Sequence, residues 1–233
     1  MKSVKDEFSK HAQEYNSHNI IQQIISKALV RELEFQPKRI LELGCGSGQV
    51  FKNINFSFEY YKALDFSQEM CNIHPQHKNL EIKCLDFDTI EFHQNIQNEK
   101  YDIVLSSSAL QWSQNLNKII QTLATISNKI QMALFTSNTF KTIFELSHTK
   151  SPILDLKEIK KSFDKFYNCE YEVLNYKIEF ENKKELFNYI KNSGVSGDKK
   201  TLTFKQAKQL YKNYNLGYLE FEVVFIKGTN ING

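Results

Sequence analysis

Arginine is almost absent from this sequence. Arg31 and Arg39 are the only two in 233 residues, and lysine supplies the other basic side chains. Phosphate clamps and nucleic-acid readers lean on the planar, bidentate guanidinium. Its scarcity, with a net charge of only +3, argues against both roles. No apolar run approaches the roughly 18 residues that would cross a bilayer, and no charged-then-apolar leader opens the chain. The four cysteines, Cys45, Cys71, Cys84 and Cys169, form no C-x-x-C pair. The one C-x-x-H, Cys71 with His74, is too little for a zinc site. These absences predict a cytoplasmic protein with free thiols, no metal, no membrane partner and no nucleic acid. There is also no linker, repeat or low-complexity stretch, so residues 1–228 read as one domain. A 41% hydrophobic and 24% charged composition is that of an ordinary globular chain.

What is present is an alternation. The first 36 residues read as helix, with Ile20, Ile21, Ile24, Ile25, Ala28, Leu29 and Leu33 on one face and Pro37 as the stop. Short apolar strands then recur at Arg39–Leu43, Tyr60–Leu64, Leu80–Lys83, Tyr101–Leu105 and Ile130–Phe135. Helical stretches follow the first, second and fourth of these, at 49–54, after Ser67, and at 116–127. Such alternation predicts an α/β fold with a doubly wound, mostly parallel sheet and right-handed crossovers. Residues 137–167 read as a helical insertion interrupted near Pro152. Strands at 170–180 and 219–227, with helices at 183–192 and 204–211 between them, complete a seven-stranded sheet. The final residues from Thr229 are expected to fray.

The first strand runs into Gly44-Cys45-Gly46-Ser47-Gly48 and then a helix. This is a ligand-binding turn: Gly44 permits the tight bend, and Gly46 lets the backbone approach a ligand. A phosphate-binding P-loop needs Gly-Lys-Ser/Thr, which is missing. The dinucleotide fingerprint wants its third glycine where Gln49 stands. The G-x-G-x-G spacing instead suits a ligand with a carboxylate, such as the methionyl tail of S-adenosylmethionine. Asp65, 21 residues past Gly44 at the end of the second strand, can accept hydrogen bonds from both ribose hydroxyls. Phe66 can lie against the adenine, and Asp86, after the third strand, can accept its amino group. These positions share the carboxyl edge of the sheet, where open α/β sheets hold ligands.

With these residues in place, the sequence resembles the class I methyltransferases. More narrowly, it is similar to the malonyl-acyl-carrier-protein O-methyltransferases of biotin synthesis. The resemblance is carried by Phe8-x3-Ala12-x2-Tyr15 with Gln22, by Leu41–Gly48, by Tyr101–Trp112 with its Leu110-Gln111-Trp112 ending, and by Phe135-Thr136-Ser137-x-Thr139-Phe140-x3-Phe144-Glu145-Leu146. Two departures stand out. Asn128-Lys129 replaces the family's Lys-Pro-Gly-Gly turn, and Asp86–Ile90 lacks its Leu-Pro.

The resemblance implies a Rossmann-like methyltransferase sheet with residues 1–36 as an N-terminal helical lid and 137–167 on the substrate side. It places cofactor contacts at Tyr15, Gly44, Cys45, Gly46, Asp65, Phe66, Met70, Asp86, Phe87 and Ser106. Tyr15, Gln111 and Trp112 would position the reactants. The implied reaction is methyl transfer from S-adenosylmethionine to the free carboxylate of malonyl-acyl-carrier protein, by a monomer. Another small acid or a quinone-type precursor is an alternative acceptor, and a catalytically silent S-adenosylmethionine-binding protein is the alternative of a different class. Lys141 and His148 are candidates to meet the substrate's charge. Lys157, Lys160, Lys161 and Lys165 lie at helical spacing and form a possible docking face for an acidic carrier.

Overall fold

A computed structural model describes residues 19–192 and 203–232. Its centre is a seven-stranded sheet built from β1 (Arg39–Leu43), β2 (Tyr60–Asp65), β3 (Leu80–Cys84), β4 (Ile103–Ser107), β5 (Lys129–Phe135), β6 (Tyr167–Glu179) and β7 (Tyr218–Asn230). The strand order is β3-β2-β1-β4-β5-β7-β6. The first five strands are parallel, whereas β7 runs antiparallel to β5, and β6 antiparallel to β7. The order reverses between β1 and β4. The carboxyl ends of those two strands therefore open a crevice at the switch point.

Two apolar layers cover the sheet. On one face α1 (Ile20–Arg31) buries Ile21, Ile25 and Leu29. It packs there with Val50 of α2 (Gln49–Asn53), Ile143 of α6 (Lys141–Ser147), Leu186 and Tyr189 of α8 (Lys183–Asn192) and Leu210 of α9 (Phe204–Asn213). On the other face lie Phe92 and Ile96 of α4 (Ile90–Ile96), α5 (Leu116–Ile126), and Ile159 and Phe163 of α7 (Leu156–Phe163). The short α3 (Gln68–Ile73) follows β2. The sequence explains these helices locally. In α5, Leu116, Ile119, Ile120, Leu123 and Ile126 recur at helical spacing and are all buried, and the Asn115 side chain caps the Lys118 N–H. In α7 Asp155 and Glu158 make a reciprocal capping box, and Thr203 and Gln206 do the same for α9.

The structure departs from the sequence reading in several places. Helix α1 stops at Arg31, well before Pro37, because the chain must turn to reach β1. Glu34 pairs with Lys227 at 3.0 Å, and Phe35 lies 4.2 Å beneath the Lys129 ammonium. The described part of the expected lid is thus buried against the sheet, where the Gln131 amide donates to the Leu29 carbonyl. Helix α4 was absent from the sequence reading. The end of the chain does not fray at Thr229: Thr229 and Asn230 still pair in β7, and the Asn230 amide donates to the Ala124 carbonyl at 2.6 Å. No helix among the described residues is long and apolar enough to cross a membrane.

Candidate functional site

The glycine loop is shaped by its neighbours. Gly44 and Cys45 both donate their N–H groups to the Leu64 carbonyl, at 2.8 and 3.0 Å. This ties the loop to β2. Gly44 has φ +70°, and a Cβ there would lie 2.1 Å from the Cβ of Ala109. Gly46 has φ +50° and no atom within 4 Å of its would-be Cβ. The first glycine is required by packing. The second leaves open a cradle into which a ligand can settle against bare backbone.

Asp65 links the loop to the β2 end. Its Oδ2 accepts the Gly46 N–H at 2.8 Å, and its Oδ1 accepts the Ser67 N–H at 2.9 Å. The Phe66 N–H bonds the same carboxylate, which keeps acceptor capacity for a ligand hydroxyl. Burial pushes this carboxyl up to about 6, while the Ser67 and Gly46 N–H groups pull the other way. Ser67 also caps α3 through the Met70 N–H, as its position before that helix predicts. Beneath the loop, Glu42 is fully buried and accepts the Tyr61 hydroxyl at 2.6 Å. Burial lifts its carboxyl to about 8, and Asp65 repels its ionised form. Burial thus disfavours the ionised form of Glu42 more strongly than that of Asp65.

A cleft of about 520 Å³ opens above these groups, lined by Gly44, Gly46, Asp65, Phe66, Met70, Phe87, Ser107, Ser108, Ala109 and Trp112. That is the size range of small-molecule sites. Seven residues singled out in the sequence line it: Gly44, Gly46, Asp65, Phe66, Met70, Phe87 and Trp112. Four others do not. Cys45 is buried, and its free thiol, hydrogen-bonded to Cys71 and desolvated, is held well above the usual thiol range. Asp86 is half-buried with its Oδ1 accepting the Asp88 N–H at 3.0 Å. Ser106 is fully buried and donates to the Leu43 carbonyl at 2.9 Å, so the cleft wall at β4 comes from the next three residues instead. Gln111 is also buried, and its Nε2 holds the Ser108 carbonyl at 2.7 Å. Tyr15 lies outside the described residues.

Sequence reasoning missed Ser107, Ser108 and Ala109. Ser108 has a left-handed φ of +58°, and its buried hydroxyl has no partner among the described residues. The first feature costs about 1–3 kcal/mol and the second a similar amount. The run Ser106-Ser107-Ser108 was the only available signal, and nothing in it distinguishes one serine from the next. The expected substrate cations are also elsewhere. Lys141 is exposed and 3.9 Å from Glu145, and His148 is exposed at the end of α6. Of the four docking lysines, Lys157, Lys161 and Lys165 are exposed, Lys160 is half-buried with its ammonium 4.7 Å over the Tyr171 ring, and Lys165 falls beyond the Asp164 cap of α7 and donates to Asn117.

Comparison with known proteins agrees with this geometry. Residues 41–129 match the family described as "Methyltransferase domain". The chain is 26% identical over 232 residues to the malonyl-[acyl-carrier protein] O-methyltransferase of Buchnera aphidicola, covering 91% of this chain and 90% of that one. It is 23% identical to the enzyme of the same name from Acinetobacter baylyi, covering 94% and 88%. Among solved structures, the YcgJ protein from Bacillus subtilis superposes with a TM-score of 0.65 at 13% identity, covering 89% of this chain and 99% of that one. The DhpI–SAM–HEP complex superposes with a TM-score of 0.56 at 15% identity, covering 73% and 91%. The domain match and the named relatives, together with the cleft, define an S-adenosylmethionine-dependent methyltransferase. Which methyltransferase it is depends on the acceptor.

Proposed function

We propose that this chain transfers a methyl group from S-adenosylmethionine to the free carboxylate of malonyl-acyl-carrier protein, an early step of biotin synthesis. The observation that carries this reading is the likeness to malonyl-carrier methyltransferases along nearly the whole chain rather than along the cofactor-binding half alone. Supporting it, the Leu110-Gln111-Trp112 run brings Trp112 to the wall of the cleft. Trp112 faces the open space, and Gln111 fixes the carbonyl of Ser108. In this reading residues 1–228 act as one domain, in the cytoplasm and as a monomer.

The residues fit the cofactor. Asp65 offers a carboxylate to the ribose hydroxyls, Phe66, Met70 and Phe87 give an apolar seat for adenine, and the open backbone at Gly46 admits the methionyl tail. When bound, the cofactor supplies an electrophilic methyl group on a sulfonium. A malonyl carboxylate has a pKa near 4 and is already ionised at neutral pH, so no general base is needed. The protein's contribution is to hold the carboxylate in line and exclude water. In this reading the Trp112 ring would meet the sulfonium charge by a cation–π contact. The proposed docking lysines Lys157, Lys160, Lys161 and Lys165, three of them exposed, would steer an acidic carrier.

The test supplies purified protein with methyl-labelled cofactor and, separately, malonyl-carrier protein, malonyl-coenzyme A, free malonate and a quinone precursor. Labelled ester on the malonyl carrier is the expected result. Label on another acid or on the quinone precursor points to the alternative acceptor. Cofactor binding without transfer to any of them points to a silent binding protein.

A further inference from the structure

We infer that the Ser108 hydroxyl is the hydrogen-bond donor that receives the acceptor's carboxylate; the inference deepens the methyl-transfer reading above and rests on it. Three observations meet at this residue. It lines the cleft at the end of β4, across from the Asp65 side. Its backbone is left-handed, at φ +58°, a conformation that suits glycine and strains serine. Its Oγ is shut away from water and bonds to nothing among the described residues. A chain needing only the turn would do better with glycine, and a chain needing only packing would not bury an unpaired hydroxyl.

The surroundings hold this arrangement in place. The Ser108 N–H donates to the Ala133 carbonyl at 2.8 Å, and the Gln111 side chain grips its carbonyl at 2.7 Å. The backbone is pinned on both sides, and only rotation about Cα–Cβ is left. One staggered step of that bond swings the hydroxyl toward the open space. The neighbours there define what it would meet. Asp65 and Phe66 occupy the β2 end of the cleft, where the ribose and adenine fit. Ser108 and Trp112 occupy the β4 end, where the acceptor must come to the methyl group. Among the described residues, no lysine, arginine or histidine lines the cleft. A neutral donor thus orients the carboxylate without a cation that would lower its nucleophilicity.

The experiment compares wild type, Ser108→Ala and Ser108→Gly as full chains. Trp112, the only tryptophan, reports binding by fluorescence, first of S-adenosylhomocysteine and then of free malonate to the loaded protein. Both variants should bind S-adenosylhomocysteine like wild type and malonate roughly tenfold to a hundredfold more weakly. Malonyl-carrier transfer should show a matching rise in KM. Ser108→Gly, relieved of strain, should also melt at a higher temperature, which a merely structural serine would not couple to lost affinity. Unchanged malonate binding in both variants overturns the inference. So does a parallel loss of S-adenosylhomocysteine affinity, or a wild type that binds no malonate. A wild type that binds malonate through Ser108 but transfers no methyl group overturns the proposed function and leaves this assignment standing.

Discussion

Replacing Gly44 by alanine, beside the same change at Gly46, measures how the loop divides its work. At Gly44 the new Cβ would lie 2.1 Å from the Ala109 Cβ. Carbon atoms in contact need about 3.5–4.0 Å, so the two segments must separate by about 1.5 Å. Ala109 cannot yield freely, because its carbonyl accepts the Trp112 N–H and the preceding Ser108 N–H is bonded to Ala133. Overpacking of this kind costs about 1–3 kcal/mol, and a left-handed alanine adds about 1–2 kcal/mol. Gly44→Ala should therefore lose about 2–5 kcal/mol. At Gly46 the Cβ meets no protein atom, so only the backbone cost of about 1–2 kcal/mol applies. The methyl would instead take up space in the ligand cradle. Urea unfolding should show Gly44→Ala as clearly the less stable variant, and titration with S-adenosylmethionine should show Gly46→Ala losing at least about tenfold in affinity while staying folded. Equal stability of the two variants, or wild-type cofactor affinity in Gly46→Ala, would refute this account of the loop.

Cofactor affinity should fall as pH drops through about 6, the value to which burial lifts Asp65, because ribose hydroxyls bond best to the ionised carboxylate; calorimetric titration between pH 5 and 8 checks it. The same group bears on stability with a definite sign. Its folded value lies above its unfolded one, so the folded state binds the extra proton, and the stabilisation present below about pH 4 is lost as pH rises through about 6. Asp65→Asn should accordingly gain on wild type in denaturation midpoint between pH 4 and pH 8 while losing cofactor affinity throughout. Tyr61→Phe removes the hydroxyl bonded to buried Glu42 and should cost about 1–3 kcal/mol in urea unfolding. Charge reversal at Lys157 and Lys161 should slow association with the acidic carrier at low salt and change little at high salt, which stopped-flow kinetics would read.

The cofactor half was legible because its signals are local. Strand β1 and the loop after it were readable from Arg39 to Gly48, and Asp65 stands where the strand-end argument puts it. Ser67 capping α3 and the five-residue apolar stripe of α5 were equally plain. The misses share a cause: each depends on a distant partner. Helix α4 carries only Phe92 and Ile96 as buried anchors among polar residues, too few to show a period. The order at Asn230 comes from Ala124, far away in sequence. Ser106 and Ser108 look alike in sequence, and only the turn beyond β4 sends one hydroxyl to the Leu43 carbonyl and leaves the other, beside the cleft, with no partner among the described residues. Lys165 belongs to a helical stripe by spacing, yet α7 ends before it.

The most direct test is the fate of labelled methyl from S-adenosylmethionine when wild-type protein meets malonyl-carrier protein at neutral pH. The account predicts one labelled methyl ester per malonyl group, released by mild base, and none on carrier lacking the malonyl carboxylate. Label that appears without that carboxylate, or no label on malonyl-carrier protein from a protein that binds the cofactor, would contradict it.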